Sequence, residues 1–279
     1  DELVFCDTWK SVKSIPQKYK NIVVFAHGQE FLNKERNYFR IAKSLSKAKF
    51  LISSSNYTLD LIKRSWDISN LKSTVIYPTY HIKKFNHKKP RSQDKKIINF
   101  ISICRVERRK GLLESLRSLR VILDKGYQFS WDIIGDGPEL MNLKNETAKL
   151  KLTQHVQFHG KIKDNVIKDD YLKNSDVFLM PSFQDKYSVE GFGLSYIEAA
   201  KFGIPSIAGN SGGAPEATIN KKTGWCVNTH NKENLVYTLT ESITNTKLRN
   251  YYGQNALKRF ETKLNSDIVS NQLVNFLQN

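Results

Sequence analysis

The sequence predicts an α/β fold in which parallel β-sheets are covered by helices on both faces. Apolar runs of strand length alternate with segments of helical period along the whole 279-residue chain. The 14 glycines and 7 prolines are scattered between these segments, where they mark turns. A chain of this length can form two domains of ordinary size, each with its own core.

Ten apolar runs have the length and composition of β-strands. They cover residues 3–6, 22–26, 50–53, 74–77, 97–104, 130–134, 156–159, 177–180, 204–208 and 224–227. The segments between them repeat apolar residues at helical spacing. The predicted helices cover residues 31–47, 57–65, 111–125, 139–149, 166–173, 193–201, 214–219 and 231–242, and a last stretch at 247–277 that breaks near Asn265.

A polar, charged segment at residues 82–96 separates two series of strands and helices. We expect an N-terminal domain with its linker at 1–92, a second domain at 93–262, and a C-terminal helix at 263–279 that packs back toward the first domain. Residues 1–82 hold only about half the elements of a doubly wound domain. The chain also begins without Met, directly before a predicted strand. We therefore expect the N-terminal domain to be incomplete and the chain to be a fragment.

The formal net charge of +17 is unusually high, and basic residues cluster at 34–49, 83–96 and 105–110. Nucleic acid, an anionic membrane surface or phosphorylated small molecules would each suit such charge. A solvated surface of a soluble protein explains it equally well. No RNP, KH or zinc motif accompanies the charge, which disfavours nucleic acid as a partner.

Two features that the sequence lacks, a long apolar run and a disulfide framework, bear on the cellular location of the protein. There is no run of 18 or more apolar residues, so no transmembrane helix is expected. The three cysteines, Cys6, Cys104 and Cys226, are far apart and odd in number, which does not fit a disulfide framework. We expect reduced thiols in a cytoplasmic protein that associates peripherally with the membrane if its basic surface binds lipid.

Two basic residues flank a loop that follows the strand predicted at 97–104. Arg105 and Lys110 lie five positions apart and lead into a helix at Gly111. Ligands of open parallel sheets bind at the carboxyl ends of strands. Two cations there could stabilise a diphosphate leaving group without a metal ion. Taken alone the pattern is weak, because basic loops are usually only solvated.

A sharper pattern follows the strand predicted at 177–180. Glu190-Gly191-Phe192-Gly193 leads into a helix that carries Glu198. The glycines permit close approach of the backbone, and the helix start presents free amides to an anion or a sugar oxygen. Eight helical residues would separate the two glutamates by about 12 Å, comparable to the hexose–ribose separation in a sugar nucleotide. The simpler interpretation is that glutamates near a helix start compensate its dipole.

Together these residues resemble the retaining glycosyltransferases of family 4, which have the GT-B fold of two Rossmann-like domains. The resemblance rests on order and spacing, and it extends to Pro181-Ser182, Ser211-Gly212-Gly213-Ala214-Pro215-Glu216 and Thr223-Gly224. It implies that Arg105 and Lys110 bind the donor diphosphate. It further implies that Glu190 contacts the donor hexose, that Phe192, Gly193 and Leu194 present backbone amides, and that Glu198 binds the ribose.

The resemblance implies two further site residues. Ile162, in Gly160-Lys161-Ile162, corresponds to a backbone contact with the nucleobase, and His27 to a histidine that faces the acceptor and the transferring sugar. A lone histidine after a strand is more often structural, but a position at the carboxyl end of a strand favours function. The chain departs from the family at residues 78–81, which read Pro-Thr-Tyr-His.

We therefore expect a retaining hexosyltransferase that uses a UDP- or GDP-linked sugar and a glycan or lipid-linked acceptor in cell-envelope polysaccharide or glycoconjugate synthesis. Glu190 and His27 would act at the reacting sugar, and no metal or other cofactor is expected. The acceptor proton would pass to the leaving phosphate. The alternative is a non-catalytic nucleotide-sugar or nucleic-acid binding protein on the same scaffold, because fold alone does not determine function.

Overall fold

The computed structural model describes residues 2–80 and 97–278 and contains two parallel sheets. The first has four strands in the order β1-β2-β3-β4, and the second has six in the order β10-β9-β8-β5-β6-β7. Every neighbouring pair of strands in both sheets is parallel. The predicted α/β class with parallel sheets is confirmed.

The ten predicted strands all form, with small shifts at their ends. They are β1 (Leu3–Cys6), β2 (Asn21–Ala26), β3 (Phe50–Ser53), β4 (Lys72–Val75), β5 (Ile97–Ile103), β6 (Gln128–Ile134), β7 (Val156–Gly160), β8 (Val177–Met180), β9 (Ser206–Gly209) and β10 (Gly224–Val227). The helices are α1 (Lys34–Leu45), α2 (Asn56–Lys63), α3 (Leu112–Asp124), α4 (Leu140–Lys149), α5 (Asn165–Asn174), α6 (Leu194–Lys201), α7 (Ala214–Ala217), α8 (Lys232–Thr244), α9 (Thr246–Arg259) and α10 (Ser266–Gln278).

Capping residues explain where the helices differ from the prediction. The first helix begins at Lys34 rather than at residue 31, because the side chain of Asn33 accepts a hydrogen bond from the backbone N–H of Arg36 at 3.3 Å. Phe31 lies in a short 3₁₀ turn before it and is buried. The predicted break near Asn265 is confirmed, since a π turn (Phe260–Leu264) separates α9 from α10.

The second sheet buries apolar side chains on both faces, as parallel sheets do. One face packs Phe100 and Trp131 against α3, and the other packs Phe178 against Ile197 of α6. The first sheet is likewise covered on both faces. Its second face packs Phe50 against Phe276 of α10, with ring centroids 5.8 Å apart. The C-terminal helix thus lies on the N-terminal sheet.

The domain boundaries expected at 92/93 and 262/263 stay a prediction, and the linker expected at 82–96 lies outside the described residues. Within the described ranges, no helix is both long and apolar enough to cross a membrane. The three cysteines are free thiols. Burial raises the pKa of Cys104 to about 11 and of Cys226 to about 12, so both stay protonated and poorly nucleophilic at neutral pH.

Candidate active site

The carboxyl ends of the central strands of the second sheet bring two loops together. Strand β5 pairs directly with β8, so the turn after β5 (residues 105–111, the basic turn) lies beside the loop after β8 (residues 181–193). The backbone N–H of Phe183 donates to the carbonyl of Arg109 at 2.8 Å. Gly111, at φ +70°, lies so close to the carbonyl of Pro181 that a Cβ there would overlap it. The two loops therefore form one continuous wall.

Glu190 lies at the centre of this wall in a buried charge cluster. Its Oε2 accepts from Lys110 Nζ at 2.5 Å and from Arg109 Nη1 at 2.9 Å, and all three side chains are at most 13% exposed. Burial raises the pKa of the Glu190 carboxyl, but Lys110 and Arg109 lower it more, so that its net pKa lies below the usual value. Glu190 is consequently an anion and a hydrogen-bond acceptor at neutral pH.

The structure separates the two cations that the sequence pattern paired. Lys110 is buried in the cluster, whereas the side chain of Arg105 is 70% exposed and its Nε contacts Glu107 Oε1 at 2.8 Å. The second cation beside Glu190 is Arg109, a residue to which the sequence analysis assigned no role. The 3₁₀ turn Arg108–Lys110 directs Arg109 and Lys110 inward while Arg108 contacts Glu114. Arg105 is thus at the rim of the site and Arg109 is inside it.

The helix start behind Glu190 has the free amides that the glycine pattern predicts. Gly193, at φ +99°, precedes Leu194 as the N-cap residue and supplies no capping side chain. Phe192 is buried and stacks on Tyr77 with ring centroids 4.8 Å apart. The estimate of about 12 Å between Glu190 and Glu198 is wrong in its premise, because α6 begins at Leu194 and Glu190 lies outside the helix.

His27, at the carboxyl end of β2, meets the Glu190 loop from the first sheet. A Cβ on Gly191 would overlap the carbonyl oxygen of His27, so the two backbones are in direct contact. The backbone N–H of His27 donates to Glu30 Oε1 at 2.7 Å. The imidazole Nε2 of His27 lies 2.9 Å from the carbonyl oxygen of Asp7. The structure therefore places His27 next to the residue that follows Glu190.

Glu198 lies within α6, four residues after Leu194, and is partly buried. Burial raises the pKa of its carboxyl, and a hydrogen bond with the Tyr80 hydroxyl offsets part of that effect. The same burial and the Glu198 charge raise the pKa of Tyr80, which therefore stays protonated. Ile162 follows β7 at the same edge of the sheet and packs partly against the apolar cluster around Tyr196.

Glu216 is a second residue whose position sequence reasoning did not explain. It lies in α7, and its carboxylate accepts from the backbone N–H groups of Asn56 and Tyr57, each at 2.8 Å, at the start of α2. The Asn56 side-chain amide and the Tyr77 hydroxyl also donate to it, at 2.7 and 3.1 Å. An anion at a helix N-terminus is favourable, so Glu216 joins the second sheet's domain to the first. The motif Gly-Gly-Ala-Pro-Glu signals the residue, but not its partner 160 positions away.

The family model described as glycosyl transferases group 1 matches residues 82–259, more than half of the chain. The chain belongs to this family. Among curated relatives of the chain is the capsular polysaccharide biosynthesis glycosyltransferase CapM of Staphylococcus aureus, 30% identical over 182 residues that cover 64% of the chain and 45% of CapM. Another is a GDP-mannose-dependent alpha-(1-6)-phosphatidylinositol monomannoside mannosyltransferase of Mycobacterium tuberculosis, 35% identical over 132 residues that cover 46% of the chain and 33% of that protein.

The fold of the group 1 chain matches solved structures over almost its full extent. Anabaena Alr3699/HepE in complex with UDP and glucose superposes with a TM-score of 0.82 at 18% identity, over 99% of the chain and 77% of that structure. The expected GT-B fold is confirmed by this likeness. The matched part of the chain spans between a third and a half of the length of the first curated relatives. The roles of Arg105, Lys110, Glu190, Glu198, Ile162 and His27 remain predictions.

Proposed function

We propose that this group 1 chain is part of a glycosyltransferase that moves a hexose from a nucleoside-diphosphate sugar to a glycan or lipid-linked acceptor, with retention of configuration. The observation that carries the proposal is the buried cluster of Glu190, Lys110 and Arg109, which is followed directly by Gly191 in backbone contact with His27. A buried anion with a lowered pKa, next to cations and free helix amides, suits recognition of a sugar joined to a diphosphate.

The donor diphosphate would lie between the basic turn and the start of α6. Lys110 is a compact point charge that can move from Glu190 to a phosphate oxygen, while the exposed Arg105 would exchange Glu107 for the donor at the rim. The amides of Phe192, Gly193 and Leu194 would donate to oxygens of the donor, since no side chain caps that helix end. Arg109 would stay on Glu190 and keep it ionised after Lys110 has left.

In the reaction itself, the acceptor hydroxyl oxygen would bond to the anomeric carbon as the bond from that carbon to the phosphate oxygen breaks. The acceptor proton would pass to the leaving phosphate oxygen on the same face of the sugar, which gives retention. Glu190 would accept hydrogen bonds from the hexose, because its lowered pKa makes it a poor proton donor. His27 would orient the sugar from the opposite domain, and charge on the leaving diphosphate would be stabilised by Lys110.

Two experiments identify the nucleobase and the hexose of the donor. The mycobacterial relative is named as GDP-mannose-dependent, and the Anabaena structure contains UDP and glucose. We propose a thermal-shift comparison of UDP, GDP and ADP, followed by measurement of free nucleoside diphosphate released from a panel of UDP- and GDP-sugars by the full-length protein. Stabilisation by one diphosphate together with release from its sugars supports the proposal. A full-length protein that binds a sugar nucleotide but releases nothing with any acceptor would indicate the non-catalytic alternative.

Replacement of Glu198 by alanine is expected to weaken nucleoside-diphosphate binding by roughly 1.5–3 kcal/mol, the range for a hydrogen bond to a charged group. The ribose hydroxyls would take the place of the Tyr80 hydroxyl on Glu198, so Tyr80→Phe is expected to leave affinity unchanged or to increase it. Isothermal calorimetry with the nucleoside diphosphate measures both variants. Equal affinities for Glu198→Ala and the unmodified protein would remove Glu198 from the ribose site.

Activity is expected to survive EDTA, because the cations of the basic turn can neutralise the leaving diphosphate. Among residues 2–80 and 97–278, no group of three or more His, Cys, Asp or Glu side chains could hold a metal ion. The measurement is nucleoside-diphosphate release with and without EDTA, with magnesium and manganese added back. Complete loss that either ion restores would contradict this arrangement of the site.

A further inference from the structure

A cleft of about 820 Å³ lies in the first domain and shares no residue with the candidate active site. One wall is formed by Lys10 and Lys13, at the 3₁₀ turn after β1. The other is formed by four basic residues on or directly after α1, namely Arg36, Arg40, Lys43 and Lys47. Among the described residues, no aspartate or glutamate lines the cleft, and Trp9 and Val12 lie buried beneath it in the core of the first domain. Six cations therefore face one cavity.

The cations of this cleft have no carboxylate partner among the described residues. Arg36, Arg40 and Lys43 follow one another at spacings of four and three residues, which places them on one face of α1, and Lys47 comes two residues after the helix ends. Within the described part of the chain, none of the six cations forms an ion pair, although other basic residues do. Like charges at such spacing destabilise a helix. An anionic ligand would reverse this repulsion.

Exposed aromatic residues beside the cleft indicate what kind of anion it meets. Phe39 is 83% exposed, and its ring contacts that of Tyr38 at 5.5 Å between centroids. Aromatic and basic side chains on one helix surface are the pattern of binding at the membrane interface. Ile41 and Leu45 of the same helix do not belong to this surface, because both are buried in the core of the first domain.

We propose that this cleft binds the phosphate groups of an anionic phospholipid surface, with Phe39 inserted at head-group depth. Concave walls with cations on both sides can hold a head group by several charge-assisted hydrogen bonds. A free polyphosphate would use the same cations but would gain nothing from Phe39. The proposal is independent of the donor site, because no sugar nucleotide takes part in the binding.

Co-sedimentation of the 279-residue chain with vesicles tests the proposal. Mixed phosphatidylglycerol–phosphatidylcholine vesicles are expected to retain the protein at about 0.1 M salt and to release it near 1 M, where screening shortens the Debye length from about 10 to about 3 Å. Arg40→Gln with Lys43→Gln is expected to weaken partition roughly 25-fold, or about fivefold for each cation. Phe39→Ser is expected to weaken partition without changing its salt dependence.

The matched control is Lys144→Gln with Lys149→Gln, which removes the same charge from exposed positions of α4. It is expected to change partition by less than about twofold, because those residues lie in the other domain. Thermal melts establish that each variant is folded. Equal losses in the two pairs, or equal binding to neutral and anionic vesicles, would overturn the proposal. Binding of inorganic pyrophosphate or RNA without any binding to vesicles would also overturn it.

Discussion

Replacement of Glu190 by glutamine is expected to lower the turnover number roughly 100- to 1000-fold, the range for loss of one positioned polar group at a reacting centre. The affinity for nucleoside diphosphate is expected to be unchanged or higher. The reason is the cluster itself, in which Glu190 shares Oε2 with Lys110 and Arg109. A neutral amide leaves both cations available to the donor diphosphate, while it removes the anion that would face the sugar in the proposed complex.

The control for Glu190 is Glu114, which is matched in burial and lies near the same turn. The Glu114 side chain is 14% exposed and pairs with Arg108, whereas that of Glu190 is 13% exposed. Glu114→Gln is expected to lower the melting temperature without lowering turnover by more than a few fold, because it breaks an ion pair away from the sugar. The measurements are steady-state kinetics and calorimetry on the full-length protein. An unaltered turnover number in Glu190→Gln would rule out its role at the hexose.

The pH dependence of activity provides a second measurement on the same cluster. Lys110 and Arg109 hold the pKa of Glu190 below its usual value, so the ionised form, and the stability of the cluster, persist until the pH falls through that lowered pKa. Arg109→Gln removes one of the two cations and should raise the pKa of Glu190. The acid limb of the turnover profile is therefore expected to move to higher pH in Arg109→Gln, while Arg108→Gln leaves it in place.

The sequence predicts the sheets well because buried parallel strands are continuous apolar runs, which few other structures require. It also predicts that the candidate site residues follow strands β2, β5, β7 and β8, because charged and polar residues suited to binding a ligand come just after these apolar strands. In contrast, four cations occur within residues 105–110, and their spacing does not reveal which two reach Glu190. The orientation of the 3₁₀ turn decides between Arg105 and Arg109, and that orientation follows from its contact with Phe183.

Contacts between residues far apart in the chain could not be predicted from the sequence either. The link between Glu216 and the start of α2 joins residues about 160 positions apart, and helix capping by a distant carboxylate has no local pattern. The same limit affected α1, where helical periodicity correctly identified an apolar face but not what covers it. Ile41 and Leu45 pack into the core of the first domain, whereas Tyr38 and Phe39 stay exposed. Periodicity reports that a face is apolar, whereas the fold determines its partner.

Replacement of Gly191 by alanine is expected to lower turnover by at least about 100-fold, since a displacement on the order of 1 Å at a reacting centre has effects of that size. A Cβ at this position would overlap the carbonyl oxygen of His27, which is backbone and cannot rotate away. The His27 segment and the Glu190 loop would have to separate, and with them the two sheets that they join. Nucleoside-diphosphate affinity should change much less, because Glu198 lies further along α6.

The effect of Gly191→Ala is separated from a general loss of stability by Gly126→Ala. Gly126 has φ +86° and no atom within 4 Å of an added Cβ, so alanine there costs about 1 kcal/mol or more of backbone strain without any steric contact. We expect Gly126→Ala to melt at a lower temperature and to keep its turnover number. Small-angle scattering of Gly191→Ala is expected to show a more open molecule at unchanged secondary structure. Normal turnover in Gly191→Ala would mean that contact between the His27 segment and the Glu190 loop is not needed for the reaction.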